Sequence, residues 1–77
     1  MNKLFKLLVR NNVIMTIKPH VYRPDIAIIR MEHIHNREKY TQEFEWYCSI
    51  DNVPIEDVCI GYLSAFLGEI GIQMAEE

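Results

Sequence analysis

Two cysteines, three glycines and three prolines are all this 77-residue chain holds of the residues that staple, loosen or break a backbone. Two thiols are too few for a disulfide framework, so packing must supply the stability. The glycines are Gly61, Gly68 and Gly71, all inside one apolar-periodic stretch, so there is no glycine-rich loop to cradle a phosphate. No uninterrupted apolar run is long enough to cross a membrane, because Glu56, Asp57 and Glu69 break the longest apolar segment. A secretory leader needs an unbroken apolar core behind its basic start, and Lys6 interrupts the run Leu4 to Leu8. A cytoplasmic protein with reduced thiols is expected. From Asp51 onward there is no base at all, against six acids. Eight Lys/Arg against eleven Asp/Glu give a net charge of −3, which argues against nucleic-acid binding by bulk charge.

What is present reads as an ordinary small globular chain, 49% hydrophobic and 25% charged. No linker, repeat or low-complexity tract divides it, so residues 1–77 are expected to form a single domain. A chain this short buries only about 60–65% of the surface of its unfolded form, so a partner would add usefully to its stability. Within Met1 to Arg10, Asn2 can cap a short amphipathic helix with Leu4, Leu7 and Leu8 on one side. Two turns of helix are marginal alone and must dock on the rest of the chain.

Three strands follow. Asn12 to Lys18 is β-branched and apolar, Ile26 to His35 is a second strand, and Tyr40 to Ile50 a third. Pro19 and Pro24 bracket a loop between the first two. Asn36-Arg37-Glu38-Lys39 reads as the turn between the others, with Asn36 facing Lys39. That register sets Met31 opposite Phe44, Ile29 opposite Trp46 and Ala27 opposite Cys48 on one face. Arg30 then meets Glu45 and Ile28 meets Tyr47 on the other, with Glu32 awkwardly opposite Glu43. A slip of one residue would mix the faces.

From Pro54 the apolar positions Ile55, Val58, Cys59, Tyr62, Leu63, Phe66, Leu67, Ile70 and Met74 recur at steps of three and four. This is the stripe of one long helix, with Asp51 or Asn52 as cap and Glu56 and Asp57 in its first turn. The expected fold is therefore α+β: a short N-terminal helix, a three-stranded antiparallel meander, and a long C-terminal helix packed on one face. Gly61, Ser64, Ala65 and Gly68 mark a small-residue side of that helix, open to the N-terminal helix or to a second chain.

Candidate chemistry is sparse. His33 and His35 form an H-x-H on one strand, the basis of an alternative reading as a small metal- or ligand-binding module. Cys48 and Cys59 are too far from them in the expected register and read as small apolar core residues. No nucleophile–base arrangement is visible, so neither catalysis nor a cofactor is expected, and no metal is assigned. The element order also resembles a double-stranded-RNA-binding domain. That family opens its second helix with a basic cluster, whereas Pro54-Ile55-Glu56-Asp57 would repel phosphate, which excludes RNA binding.

The surfaces left open are more informative. With both helices on the side of Ile29, Met31, Phe44 and Trp46, the reverse side carries Ile14, Ile26, Ile28, Ile34 and Tyr47 as an apolar contact patch. Val13, Met15, Thr16 and Ile17 form an outer strand edge with no charge, which invites pairing with another chain, including a second copy. The acids Glu43, Glu45, Asp51, Glu56 and Asp57 are suited to a basic protein partner. In size and element order the chain resembles small accessory proteins of phages and mobile elements, among them anti-CRISPR inhibitors. That resemblance implies a non-catalytic protein that inhibits or regulates a larger host protein, such as a nucleic-acid-handling defence enzyme, with a structural subunit of a larger assembly as the other reading. A homodimer or a complex with a larger protein is expected, without direct nucleic-acid or membrane binding.

Overall fold

The three strands form one antiparallel sheet in the order β1-β2-β3, with β1 (Val13–Pro19) and β3 (Glu38–Tyr47) as its edges and β2 (Ile26–His35) between them. Helix α1 (Asn2–Arg10) precedes the sheet and α2 (Ile55–Glu69) follows it. The structure is a computed structural model that describes residues 2–47 and 53–75. Cys48, and the Asp51 and Asn52 expected to cap the second helix, lie outside the described residues. The fold is α+β in the expected order, helix, three strands, helix.

Alternation decides the faces. Val13, Ile29 and Met31 point to the covered side and join Leu4 and Leu7 of α1 and Cys59, Leu63, Phe66 and Leu67 of α2 in one core. The α2 residues fall at i, i+4, i+7 and i+8, one stripe of the helix. Each such side chain contributes roughly 1.5–3 kcal/mol by leaving water, before conformational entropy is counted. Phe44 stacks on Tyr62 with centroids 4.5 Å apart, and the Tyr62 hydroxyl donates to the Glu45 carbonyl at 3.0 Å, so α2 is tied to β3 as well.

The hairpin register differs by two residues from the one read in the sequence. Ile29 faces Phe44, Ala27 faces Trp46, Arg30 faces Glu43 and Ile28 faces Glu45. A shift of two keeps every side chain on its own face, so the faces are as expected while each pair is not. The reason is the turn. Only Asn36 and Arg37 lie between the strands, both with positive φ (52° and 67°), the geometry of a two-residue type I′ turn. The expected clash of Glu32 with Glu43 does not arise, since Glu32 faces Thr41 and pairs with Arg30 and Lys39 at 3.0 and 3.5 Å.

The second helix is also shorter than its apolar stripe. It ends at Glu69, and Gly71 adopts φ +76° beyond it. Ile72 N–H donates to the Leu67 carbonyl at 2.8 Å and Gly71 N–H to the Gly68 carbonyl at 3.1 Å, a Schellman ending. Ile70, Ile72 and Met74 still pack on the core, so the apolar spacing continues through residues that are no longer helical. Its first turn is capped by Pro54, whose carbonyl accepts from Asp57 and Val58. The small-residue side does not receive α1: Gly61, Ser64, Ala65 and Gly68 are all exposed, and a Cβ on Gly61 or Gly68 would meet nothing within 4 Å.

Three substitutions test this backbone by urea unfolding. Arg37→Gly supplies the Asn-Gly pair that a type I′ turn favours and should stabilise by about 0.5–1 kcal/mol. Gly61→Ala should stabilise by a similar amount, about 0.5–1 kcal/mol, because the helix gains propensity and nothing is crowded. Gly71→Ala should instead cost about 1–2 kcal/mol, the penalty of a side chain in the left-handed region.

Candidate functional site

The apolar patch read on the open face is divided by the true register. Ile14 and Ile34 lie near the hairpin end of the sheet and are 63% and 67% exposed. Ile26 faces Tyr47 at the opposite end of β2, eight residues and so about 26 Å away. Ile26 is only 3% exposed, which removes it from the patch: the 20–25 loop closes on it through His20 N–H to its carbonyl and its own N–H to Arg23. Ile28 is half-buried and Tyr47 exposed. Between the two ends runs a belt of charge, Lys18 with Glu43 at 3.8 Å and Arg30 with Glu32 with Lys39. The open face is thus two small apolar areas separated by ion pairs.

The larger apolar surface lies elsewhere, between α1 and the free side of β1. Leu4, Phe5, Leu8, Val9, Val13 and Ile14 line an open groove of about 680 Å³ together with Asn12 and Met15. Phe5 and Val9, 67% and 61% exposed, stand one turn apart on the outward side of α1. Lys6 and Arg10 border a second hollow beside the same two residues. The groove could have been anticipated, since Phe5 and Val9 are apolar yet fall off the Leu4-Leu7-Leu8 stripe. Val21 and Tyr22 in the 20–25 loop, both highly exposed, are further apolar residues that no periodicity marks.

The strand edge read in the sequence is real: β1 is an outer strand, and Val13 to Ile17 carry no charge. Within it Val13 points into the core, Met15 is half-buried, and Thr16 and Ile17 are exposed. No family model, curated protein or solved structure matches the chain.

The proposed acids do not gather. Glu43 and Glu45 project from the open face, whereas Glu56 and Asp57 sit on α2, across the sheet on the covered side. Glu45 also accepts from the Tyr47 hydroxyl at 3.0 Å, and Glu38 from Tyr40 at 2.7 Å. Those hydrogen bonds raise both phenol pKa values above the usual 10.0. His33 and His35 stack with centroids 5.9 Å apart, but the two differ in setting. His33 is buried and donates from Nδ1 to the Asn12 carbonyl at 3.1 Å, while His35 is exposed. Among the described residues no group of three or more His, Cys, Asp or Glu is placed to share a metal ion. The described helices include none long and apolar enough to cross a membrane.

Two further buried residues, Asn11 and Cys59, lie outside the groove's lining. Asn11, in the turn after α1, donates from Nδ2 to the Leu7 carbonyl (2.8 Å) and the Ala75 carbonyl (2.9 Å), and accepts from Ala75 N–H at 2.7 Å. It thereby ends α1 and clasps the tail that follows α2. Cys59 is wholly buried, and loss of hydration of its thiolate raises the thiol pKa above 9.0. The folded thiol resists ionisation, so its contribution to stability is complete below the ordinary thiol pKa and is lost as pH rises toward the raised value.

Asn11→Ala should cost about 1–3 kcal/mol, the penalty for stranding buried polar groups, and should speed amide exchange at residues 72–75 first. In a Cys48→Ser background, native Cys59 should react with a thiol reagent only as fast as the chain opens, and Cys59→Ala should remove the reaction while leaving the fold intact.

Proposed function

We propose that this chain is a non-catalytic protein-interaction module that acts by binding a larger protein. The observation that carries the reading is the apolar groove beside an uncharged, unpaired strand edge. A 77-residue chain that leaves Phe5, Val9 and Ile14 in water while burying Leu4 and Leu7 of the same helix keeps apolar surface in reserve at a cost to solubility. The stretch Val13 to Ile17 of this outer strand carries no charge, and an uncharged edge invites pairing with another chain. Site of action in the cytoplasm fits the unpaired thiol of Cys59.

The finer reading is a small inhibitor or regulator of phage or mobile-element type, directed at a host enzyme that handles nucleic acid. Size and element order support it. Its contact would be the groove and not a mimic of nucleic acid, because Glu43 and Glu45 face away from Glu56 and Asp57 and are engaged in part by Lys18 and Tyr47. A homodimer through β1 is the competing use of the same edge.

The reading is tested by affinity capture from the native host with the wild-type chain and two charge-bearing variants. Phe5→Glu with Val9→Glu should abolish recovery of the specific partner, while Tyr47→Glu, at the far end of the open face, should leave recovery unchanged. Equal recovery with both variants would remove the groove from the interface. Sedimentation at micromolar concentration reports the dimer: a mass near 9.1 kDa excludes it.

A further inference from the structure

At the hairpin end of the sheet one ring nitrogen is left holding a lone pair. A carbonyl oxygen can only accept, so the 3.1 Å contact between His33 Nδ1 and the Asn12 carbonyl puts the ring proton on Nδ1. In the neutral imidazole the lone pair then lies on Nε2. That atom has no hydrogen-bond partner among the described residues, nor is it one of their enclosed, unpartnered atoms. It therefore reaches solvent, although the residue as a whole is buried.

The side chains around it are of ligand type. His35 stands two positions along β2 on the same face, its ring centre 5.9 Å from that of His33 and its plane 21° away. The register sets Tyr40 opposite His33 and Glu38 opposite His35, so these two share that face. Glu38 accepts from the Tyr40 hydroxyl through Oε2 at 2.7 Å, which orients the carboxylate and leaves Oε1 for another contact. A backbone carbonyl behind an imidazole and a hydrogen bond behind a carboxylate are the supports that metal-ligating side chains use.

We infer that His33 Nε2, His35 and Glu38 bind one divalent transition-metal ion of the zinc type at the tip of the β2–β3 hairpin, with water completing its coordination. Imidazole and carboxylate donors suit Zn²⁺, and imidazole also suits Ni²⁺ and Cu²⁺. Without the ion the three donors do not converge on one point. Two nitrogens on a tetrahedral ion with bonds of about 2.1 Å lie about 3.4 Å apart, closer than the two rings stand. His35 and Glu38 are exposed and supply the movement, while the Asn12 carbonyl holds His33 in place. Pairing with that carbonyl accounts for Nδ1 of His33, but not for a second imidazole and an oriented carboxylate beside it. The site lies on β2 and β3 and shares no residue with the groove, so it stands or falls apart from the interaction-module reading.

The test titrates ZnCl₂ into the full chain carrying Cys48→Ser, which removes a competing thiol, and follows it by calorimetry. One ion per chain is expected, with Kd of about 1–50 μM. In nitrogen-15 spectra of the histidine rings, Nε2 of His33 should shift on binding while its Nδ1 proton persists, and His35 should shift with it. This reads the role of His33 without substituting a buried residue. His35→Gln should weaken binding at least about tenfold, and Glu38→Gln about threefold or more. Both residues are exposed, and circular dichroism verifies that the variants fold. His20→Gln, in the 20–25 loop where Nδ1 already accepts from Tyr22 N–H, should change nothing. Mg²⁺, which prefers oxygen ligands, should not compete. No binding at about 1 mM Zn²⁺ overturns the inference. So does affinity unchanged by His35→Gln, or a shift at His35 with none at His33. A stoichiometry of one ion to two chains would mean that exposed histidines of separate molecules share it, and equally overturns the site.

Discussion

Everything in this molecule depends on two helices sharing one face of a three-stranded sheet. Ile29 and Met31 on the central strand are completely buried because α2 brings Leu63, Phe66 and Leu67 over them and α1 closes the side with Leu4 and Leu7. A sheet of three strands has no second layer to spare. Covering one face well leaves the other to water and both outer edges open, so those surfaces are either treated with charge or left apolar.

It does both, in different places. The open face is treated with charge: Lys18, Glu43, Arg30, Glu32 and Lys39 form a belt across its middle, and the exposed isoleucines are confined to one end. Such exposed ion pairs add little stability, but they keep the face hydrated and hostile to stray strands. The β1 edge receives no such treatment. There the apolar residues of α1 and β1 come together, and Asn11 secures the corner by joining the end of α1 to the tail after α2. This polar clasp joins residues 64 positions apart in the chain.

The sequence was readable wherever a repeating pattern carried the information. Period two marked the strands, and period three-to-four marked α2, so element order and faces follow from the residues. The hairpin pairs did not, because a register shift of two preserves the alternation on which the reading relied. What decided between them was the positive φ of Arg37, a conformation that nothing in the side chain announces. The end of α2 was hidden for a related reason. Ile72 and Met74 continue the apolar spacing because they too meet the core, although Gly71 has already turned the chain. Ile26 looked like an exposed open-face residue because its parity is right, and only the loop folded over it shows otherwise.

By itself the sequence determined the class of fold, the direction in which each strand's side chains point, and the lack of charge from Val13 to Ile17. These are local properties, set by periodicity and composition over neighbouring residues. The tertiary structure decided which apolar surfaces join. Phe5 and Ile14 are nine positions apart in the chain and become walls of one groove only when α1 folds back along β1. Glu43 and Glu56 are close in number but are held on opposite sides of the sheet. Contact between distant residues is created by packing around the core, and no local pattern encodes it.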